Sequence, residues 1–155
     1  MTGANYWRMI MKIVDLNVLI YAVNRDSPLH QPLKRWWESA VNGDEPIGLP
    51  WAVLLGFLRL STNPRVFQAP LSVSEALSTL DQWLSQPNVR ILRETDGHWH
   101  TLRSLLVMSG TAGNLTTDAH LASLAISHGA VLVSCDADFA RFAGLRWENP
   151  IANSN

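Results

Sequence analysis

Short apolar segments alternate with helical patterns along the 155 residues of this chain. The predicted strands cover 10–15, 47–49, 89–92 and 130–134, with a candidate edge strand at 145–147. Strands that alternate with helices favour a mostly parallel sheet with helices on both faces. We therefore expect a single α/β domain with one central sheet.

The helical patterns separate these strands. They cover approximately 17–24, 33–41, 50–59, 72–84, 96–109 and 117–128. Polar residues before three of these helices are predicted to be their N-caps: Ser72 or Ser74, Thr95 or Asp96, and Thr116 or Thr117. The sequence therefore predicts six helices, of which the last three begin at side-chain caps.

Composition limits the organisation and the class of protein. We expect a folded domain over 10–150, a frayed N-terminal tail over 1–9 and a C-terminal tail over 151–155. No apolar run approaches the ~20 residues of a membrane span, and the single cysteine excludes an internal disulfide. These features predict a cytoplasmic protein without membrane contact. The net charge of −1 gives no overall attraction for nucleic acid.

Acidic residues fall where the strands and helices meet. Asp15 closes the first strand, Asp136 closes the strand at 130–134, and Asp138 follows it. Asp118 begins a late helix and lies on its apolar side. Ligands of parallel sheets bind beyond the carboxyl ends of the strands, so we expect these four carboxylates to converge there.

Converging carboxylates repel one another unless a cation intervenes. Two unit charges ~4 Å apart cost about 4 kcal/mol at an effective dielectric constant of 20. Oxygen ligands without clustered histidine or cysteine favour Mg²⁺ or Mn²⁺. Each aspartate also has a purely structural interpretation as a helix cap or as a partner of a helix dipole. Their agreement in predicted position favours the metal site.

Four short segments keep a specific order and spacing: DLNVLIYA at 15–22, FLRL and NPR at 57–65, DAHLA at 118–122 and SCDADF at 134–139. Together they resemble the PIN-domain ribonucleases, specifically the VapC toxins of bacterial toxin–antitoxin pairs. The similarity extends from about Met11 to Pro150. The resemblance implies an Mg²⁺- or Mn²⁺-dependent endoribonuclease that hydrolyses structured RNA such as tRNA or rRNA. It also implies a cognate VapB-type antitoxin as partner, and we expect a homodimer.

The resemblance also assigns roles by position. Asp15, Asp118 and Asp136 match the metal-binding acids of the family, and Asp138 matches its less constant fourth acid. Asn17 and Ser134 match polar neighbours of the metal. Arg59 is a candidate for contact with the RNA backbone or for an ion pair that steadies the cleft. No separate organic cofactor is expected.

One position departs from the family pattern. Most members have a glutamate where this chain has Gly56, so we expect one well-held metal ion rather than two. Gly56 also favours an alternative function, in which a degenerate PIN module binds RNA or a partner without cleaving. A phosphatase of the haloacid dehalogenase type is a weaker alternative, because Asn17 stands where its second aspartate is required.

Other chemically active side chains have structural interpretations. His98 and His100 diverge at a spacing of two residues on a helix, which does not suit a shared metal. Cys135 alternates with its neighbours along an extended segment and is expected to face away from the site. We therefore assign no function to these three residues.

Overall fold

The computed structural model describes residues 9–152. Within that range a single sheet contains five strands, all parallel, in the order β3-β2-β1-β4-β5. The strands are β1 (Lys12–Val14), β2 (Ile47–Pro50), β3 (Val89–Leu92), β4 (Val131–Val133) and β5 (Arg146–Glu148). The predicted α/β class and parallel sheet are confirmed.

Six α-helices connect the strands in the described part of the chain. They are α1 (Leu16–Val23), α2 (His30–Val41), α3 (Trp51–Ser61), α4 (Val73–Leu84), α5 (His98–Ser109) and α6 (Thr116–Ser127). Two short 3₁₀ segments, Gly113–Leu115 and Ala137–Arg141, precede α6 and β5. Within residues 9–152, no helix combines the length and apolar composition that crossing a bilayer needs.

The predicted caps are correct at one helix and wrong at two. Ser72 caps α4 and forms a capping box in which it and Glu75 bond each other's backbone N–H groups at 3.1 and 3.2 Å. The cap of α5 is Gly97 and that of α6 is Leu115, neither with a side-chain hydrogen bond. The turns that precede these two helices determine the residue at which each helix begins. A polar residue near the start of a helical pattern therefore did not identify the N-cap.

The predicted tails lie largely outside the described residues. The structure does not describe residues 1–8 of the expected N-terminal tail or residues 153–155 of the expected C-terminal tail. The bounds of the domain at 10–150 therefore stay a prediction.

The sheet is covered on both faces. All four residues of β2 are buried, and because side chains of a strand alternate between faces, both sides of β2 must be packed. On one side Trp83 of α4 contacts Trp37 and Phe57 edge to face, with ring centroids 5.2 and 5.0 Å apart. Trp37 and Trp83 are therefore part of the core packing.

The strand order fixes where a ligand site belongs. The chain runs outward from β1 to β2 and β3, then returns to place β4 on the other side of β1. This reversal leaves a crevice between the carboxyl ends of β1 and β4, the usual ligand site of open parallel sheets. Asp15 and Ser134 follow directly after these two strand ends.

Candidate active site

Asp15 is fixed at the end of β1 by hydrogen bonds on both carboxylate oxygens. Its Oδ1 accepts from the backbone N–H of Leu16 at 2.7 Å, so it caps α1. Its Oδ2 accepts from the Ser134 hydroxyl at 2.7 Å. Asp15 therefore has both the capping role and the position at the carboxyl edge that the sequence suggested.

Ser134 links the ends of the two central strands. Its hydroxyl donates to Asp15 and accepts from Asn17 Nδ2 at 3.2 Å and from the Asp136 backbone N–H at 3.0 Å. Asn17 Oδ1 in turn accepts from the Cys135 backbone N–H at 3.3 Å. This network holds the start of α1 against the segment after β4, so Asp15 and Asp136 have a fixed relation.

Asp136 and Asp138 begin the 3₁₀ segment after β4. Asp136 Oδ1 accepts from the Asp138 backbone N–H at 2.9 Å and caps that segment. Asp138 is exposed, and its Oδ1 lies 3.4 Å from an Arg141 guanidinium nitrogen. Asp136 lines the central cleft, whereas Asp138 does not.

Asp118 reaches the same cleft from α6. It lies in the first turn of that helix and is partly buried. The cleft has a volume of about 540 Å³, and Asp15, Asp118 and Asp136 all line it. The structure therefore brings together three of the four predicted acids, from three separate segments of the chain.

The acids perturb one another's ionisation. Burial raises the pKa of the Asp118 carboxyl to about 6, and the charges of Asp15, Asp136 and Asp138 add to the rise against the opposing effect of Arg141. Burial also raises the pKa of Asp15, although its bond from Ser134 opposes that rise. Ionising Asp118 is therefore less favourable than ionising an exposed aspartate, and a positive charge in the cleft would favour its ionised form.

The donor set fits a hard divalent cation bound by few protein ligands. Within residues 9–152, no group of three or more His, Cys, Asp or Glu side chains is arranged so that it could hold a metal ion by itself. The three cleft acids nevertheless offer only oxygen atoms, in a space that also admits water. Mg²⁺ and Mn²⁺ bind in this way, with waters or substrate oxygens completing their coordination.

Arg59 and Gly56 lie on α3 but do not line the cleft. Arg59 is exposed, and the ion pairs found among the described residues do not include it. Gly56 is buried against α1: a Cβ atom built on it would lie 2.5 Å from Leu16 Cδ2. Leu16 itself lines the cleft, so Gly56 affects the site through its contact with Leu16.

The remaining candidates lie outside the reaction centre. Burial and the charge of Asp15 raise the pKa of the Cys135 thiol to about 11, so it stays protonated and is a poor nucleophile. His98 Nε2 shares a hydrogen bond of 2.9 Å with His120 Nδ1, joining α5 to α6. His98 thus pairs with His120 rather than with His100.

The outer part of the cleft contains residues that were not among the predicted site residues. Tyr21 and Asn24 line it beside Asn17, and Val66 contributes from the loop after α3. The available signal was the spacing of 17, 21 and 24, which places these residues on one face of a helix. Because the other residues of this helix are apolar on nearly every side, the face that carries the three polar residues does not stand out in the sequence.

Comparisons with known proteins agree with this architecture. A sequence profile of the PIN domain matches residues 12–145. Ribonuclease VapC37 of Mycobacterium tuberculosis is 44% identical over 142 residues, which cover 92% of this chain and 99% of that protein. Ribonuclease VapC33 of the same organism is 45% identical over 141 residues, covering 91% and 99%. The crystal structure of VapBC2 from Rickettsia felis bound to a promoter DNA fragment shares the fold with a TM-score of 0.66 and 22% identity, over 90% of this chain and 98% of that one.

Proposed function

The chain belongs to the PIN-domain family, and on that premise we propose that it is a metal-dependent endoribonuclease, the toxin of a VapBC-type toxin–antitoxin pair. The observation that carries this proposal is the cleft in which Asp15, Asp118 and Asp136 meet. Its VapC relatives, named ribonucleases, match nearly their whole length, which supports the same chemistry on RNA.

The three cleft acids would hold one Mg²⁺ or Mn²⁺ ion. Such an ion, when bound, supplies a Lewis acid for a phosphodiester oxygen and an acidified water as nucleophile. Ser134 and Leu16 fix both oxygens of Asp15, so this carboxylate is oriented before any ligand arrives. Asp118 is mostly ionised above pH 6 and would then be available as a ligand, whereas at lower pH the ion competes with its proton.

Residues beside the cleft serve proton transfer and substrate binding in this proposal. Asp138 is exposed to solvent next to Asp136, and we assign it the proton that the attacking water releases. Arg141 reaches Asp138 at 3.4 Å and is placed to contact an RNA phosphate. Arg59, exposed on α3, stays a candidate for the RNA backbone farther from the acids.

The biological setting follows from the same family membership. We propose a cognate VapB-type antitoxin as the protein partner, a homodimer as the assembly, and the cytoplasm as the place of action. The shared fold of the VapBC2 complex is consistent with a protein partner of this class.

The proposal is tested by RNA cleavage in vitro and by mapping new RNA 5′ ends after induced expression in a bacterium. We expect cleavage with Mg²⁺ or Mn²⁺, none in excess EDTA, and a loss of about 10²–10³-fold in Asp118→Asn. Asp81→Asn, at an exposed position of α4, is the matched control and should cleave like the wild type. Cleavage that persists in EDTA, or in Asp118→Asn with an unchanged rate, contradicts the proposal.

Gly56 keeps the second candidate open, a PIN module that binds RNA without cleaving it. Leu16 lies against Gly56 where a longer side chain would have to displace it, so the cleft gains no acid from α3. The two functions separate in the same assay: RNA binding without metal-dependent cleavage would favour the binding module.

A further inference from the structure

The cleft extends outward from the carboxylates along one face of α1. Asn17, Tyr21 and Asn24 follow one another at i, i+4 and i+7, and all three line the cleft. Seven residues of helix rise about 10 Å. The row therefore leads from the acid network at Asn17 to a region about 10 Å away from it.

The outer part of this cleft is uncharged. The wall facing α1 is apolar and includes Val53, Leu60 and Val66. The charged residues that line the cleft are the three aspartates of the inner end. The outer part therefore suits a neutral, flat, largely apolar group better than a phosphate or a charged side chain.

Two groups in the outer part can recognise such a ligand. Tyr21 is partly buried on α1, and its backbone carbonyl accepts from His30 Nδ1 at 2.9 Å, which ties this part of α1 to α2. Asn24 ends α1, and its Oδ1 accepts from the Asp26 backbone N–H at 3.3 Å. The Asn24 amide NH₂ is thereby oriented as a donor.

We propose that the outer cleft is a nucleobase pocket, in which one unpaired base of the RNA stacks on Tyr21 and accepts a hydrogen bond from Asn24. This inference rests on the proposed ribonuclease function and names its substrate more closely: RNA with an unstacked nucleotide beside the phosphodiester that reaches the acids. Proteins commonly read unpaired RNA by stacking on aromatic rings and bonding base edges.

An RNA base fits this pocket better than a peptide side chain does. A peptide with an aliphatic side chain matches the apolar wall and brings a carbonyl acceptor for Asn24, but it offers no π face to Tyr21. A charged side chain loses hydration in an outer cleft that has no opposite charge. A base supplies the flat ring and the polar edge together, while its phosphate stays at the inner end.

Binding of labelled RNA hairpins tests the pocket without requiring cleavage. Fluorescence anisotropy is measured with Ca²⁺ in place of Mn²⁺, using hairpins in which each loop nucleotide in turn is made abasic. Loss of one stacked base corresponds to about 1–3 kcal/mol, or roughly 5- to 150-fold in Kd. We expect one abasic position to weaken wild-type binding within this range and Tyr21→Leu to weaken intact-hairpin binding by a similar factor.

The decisive result is the combination of the two changes. At that position Tyr21→Leu should bind abasic and intact RNA equally, because the stack is already lost. Tyr21→Phe should retain the stack, Asn24→Ala should weaken binding severalfold, and Trp99→Leu, an exposed aromatic on α5, should change nothing. Thermal melts check that each variant folds. If Tyr21→Leu does not fold, Asn24→Ala still tests the pocket.

Independent losses from Tyr21→Leu and from every abasic position would overturn the pocket, as would unchanged RNA binding in Tyr21→Leu and Asn24→Ala. A VapB-type peptide that loses affinity in these variants while RNA does not would also overturn it and assign the outer cleft to a protein. If the wild type cleaves RNA but the effects of Tyr21→Leu and of the abasic position are independent, the pocket is overturned and the proposed function is retained. Coupled binding without any Mn²⁺-dependent cleavage would support the pocket and contradict the proposed function.

Discussion

The two ends of strand β1 carry charge in opposite ways. At the amino end, Lys12 Nζ lies 3.2 Å from a Glu45 carboxylate oxygen and 3.6 Å from one of Glu148. At the carboxyl end, Asp15 shares a cleft with Asp118 and Asp136. The first end has its own cation, whereas no basic side chain of the described chain lines the cleft at the second.

Burial sharpens this difference. The glutamate side chains at the amino end are 60% and 43% exposed. Both water and the Lys12 ammonium group therefore stabilise their negative charges. Asp15 is only 8% exposed, and Asp118 has a pKa of about 6. The acids at the amino end are exposed and paired with a lysine, whereas those at the carboxyl end are buried or half-buried and share the cleft with no basic side chain of the described chain. This contrast is the basis for the proposal that an external cation binds at the second end.

The largest expected effect is stabilisation by metal at the carboxyl end. At 100 times its Kd, Mn²⁺ should add about 2.7 kcal/mol to the unfolding free energy, or a rise in Tm of roughly 5–10 °C. The rise should be smaller at pH 5 than at pH 7.5, because below about 6 the ion must displace the Asp118 proton. Differential scanning calorimetry at both pH values measures it, and an equal rise at both would contradict the account.

Gly56 offers a way to add an acid beside the cleft. Gly56→Glu should lower the Tm without metal, because the new side chain displaces Leu16, and should tighten Mn²⁺ binding about three- to tenfold. Gly56→Gln is the matched control, with the same shape and no charge. Calorimetric titration of both variants separates the two effects, and equal Mn²⁺ affinities would place position 56 outside the site.

Part of the site could be predicted from the sequence. Strand ends are encoded locally, by apolar runs that stop at an acid, so Asp15 and Asp136 were predictable together. The convergence of Asp118 with them followed from the carboxyl-edge rule for parallel sheets. Pairings across the chain are not encoded locally, and so the contact between Gly56 and Leu16 was not foreseen.

The two wrong cap predictions have a physical reason. Thr95 and Thr116 are good cap residues, but cap choice depends on the backbone path of the preceding turn, which single positions do not specify. Asp138 is exposed beside Arg141 and does not line the cleft, although its charge is near enough to raise the pKa of Asp118. Its assigned role in proton transfer stays a prediction.

A smaller effect is expected from removing the Asp118 charge without metal. Asp118 has a pKa of about 6 in the native state against 3.8 as its ordinary value. As pH rises between these values the unfolded chain gives up the proton first, so native stability falls and the loss is complete above about 6. Asp118→Asn does not ionise. Its Tm relative to wild type should therefore be higher at pH 8 than at pH 4, and a pH-independent difference would contradict this.

The smallest effect is expected at the amino end. Lys12→Met removes a surface cation whose partners are well hydrated, so the unfolding free energy should fall by less than about 1 kcal/mol. Urea denaturation measures this loss, and Lys34→Met, which breaks an exposed pair with Glu38 on α2, is the control. A loss of several kcal/mol would show that the two ends of β1 do not differ as described.

The location of a bound cation tests the central claim most directly. Crystals soaked in MnCl₂ at pH 7.5 and measured at an energy where manganese scatters anomalously will show where the ion binds. We predict a peak between Asp15, Asp118 and Asp136, absent from Asp118→Asn crystals. An empty cleft in the wild type, or manganese at Glu45 and Glu148 instead, would contradict the account.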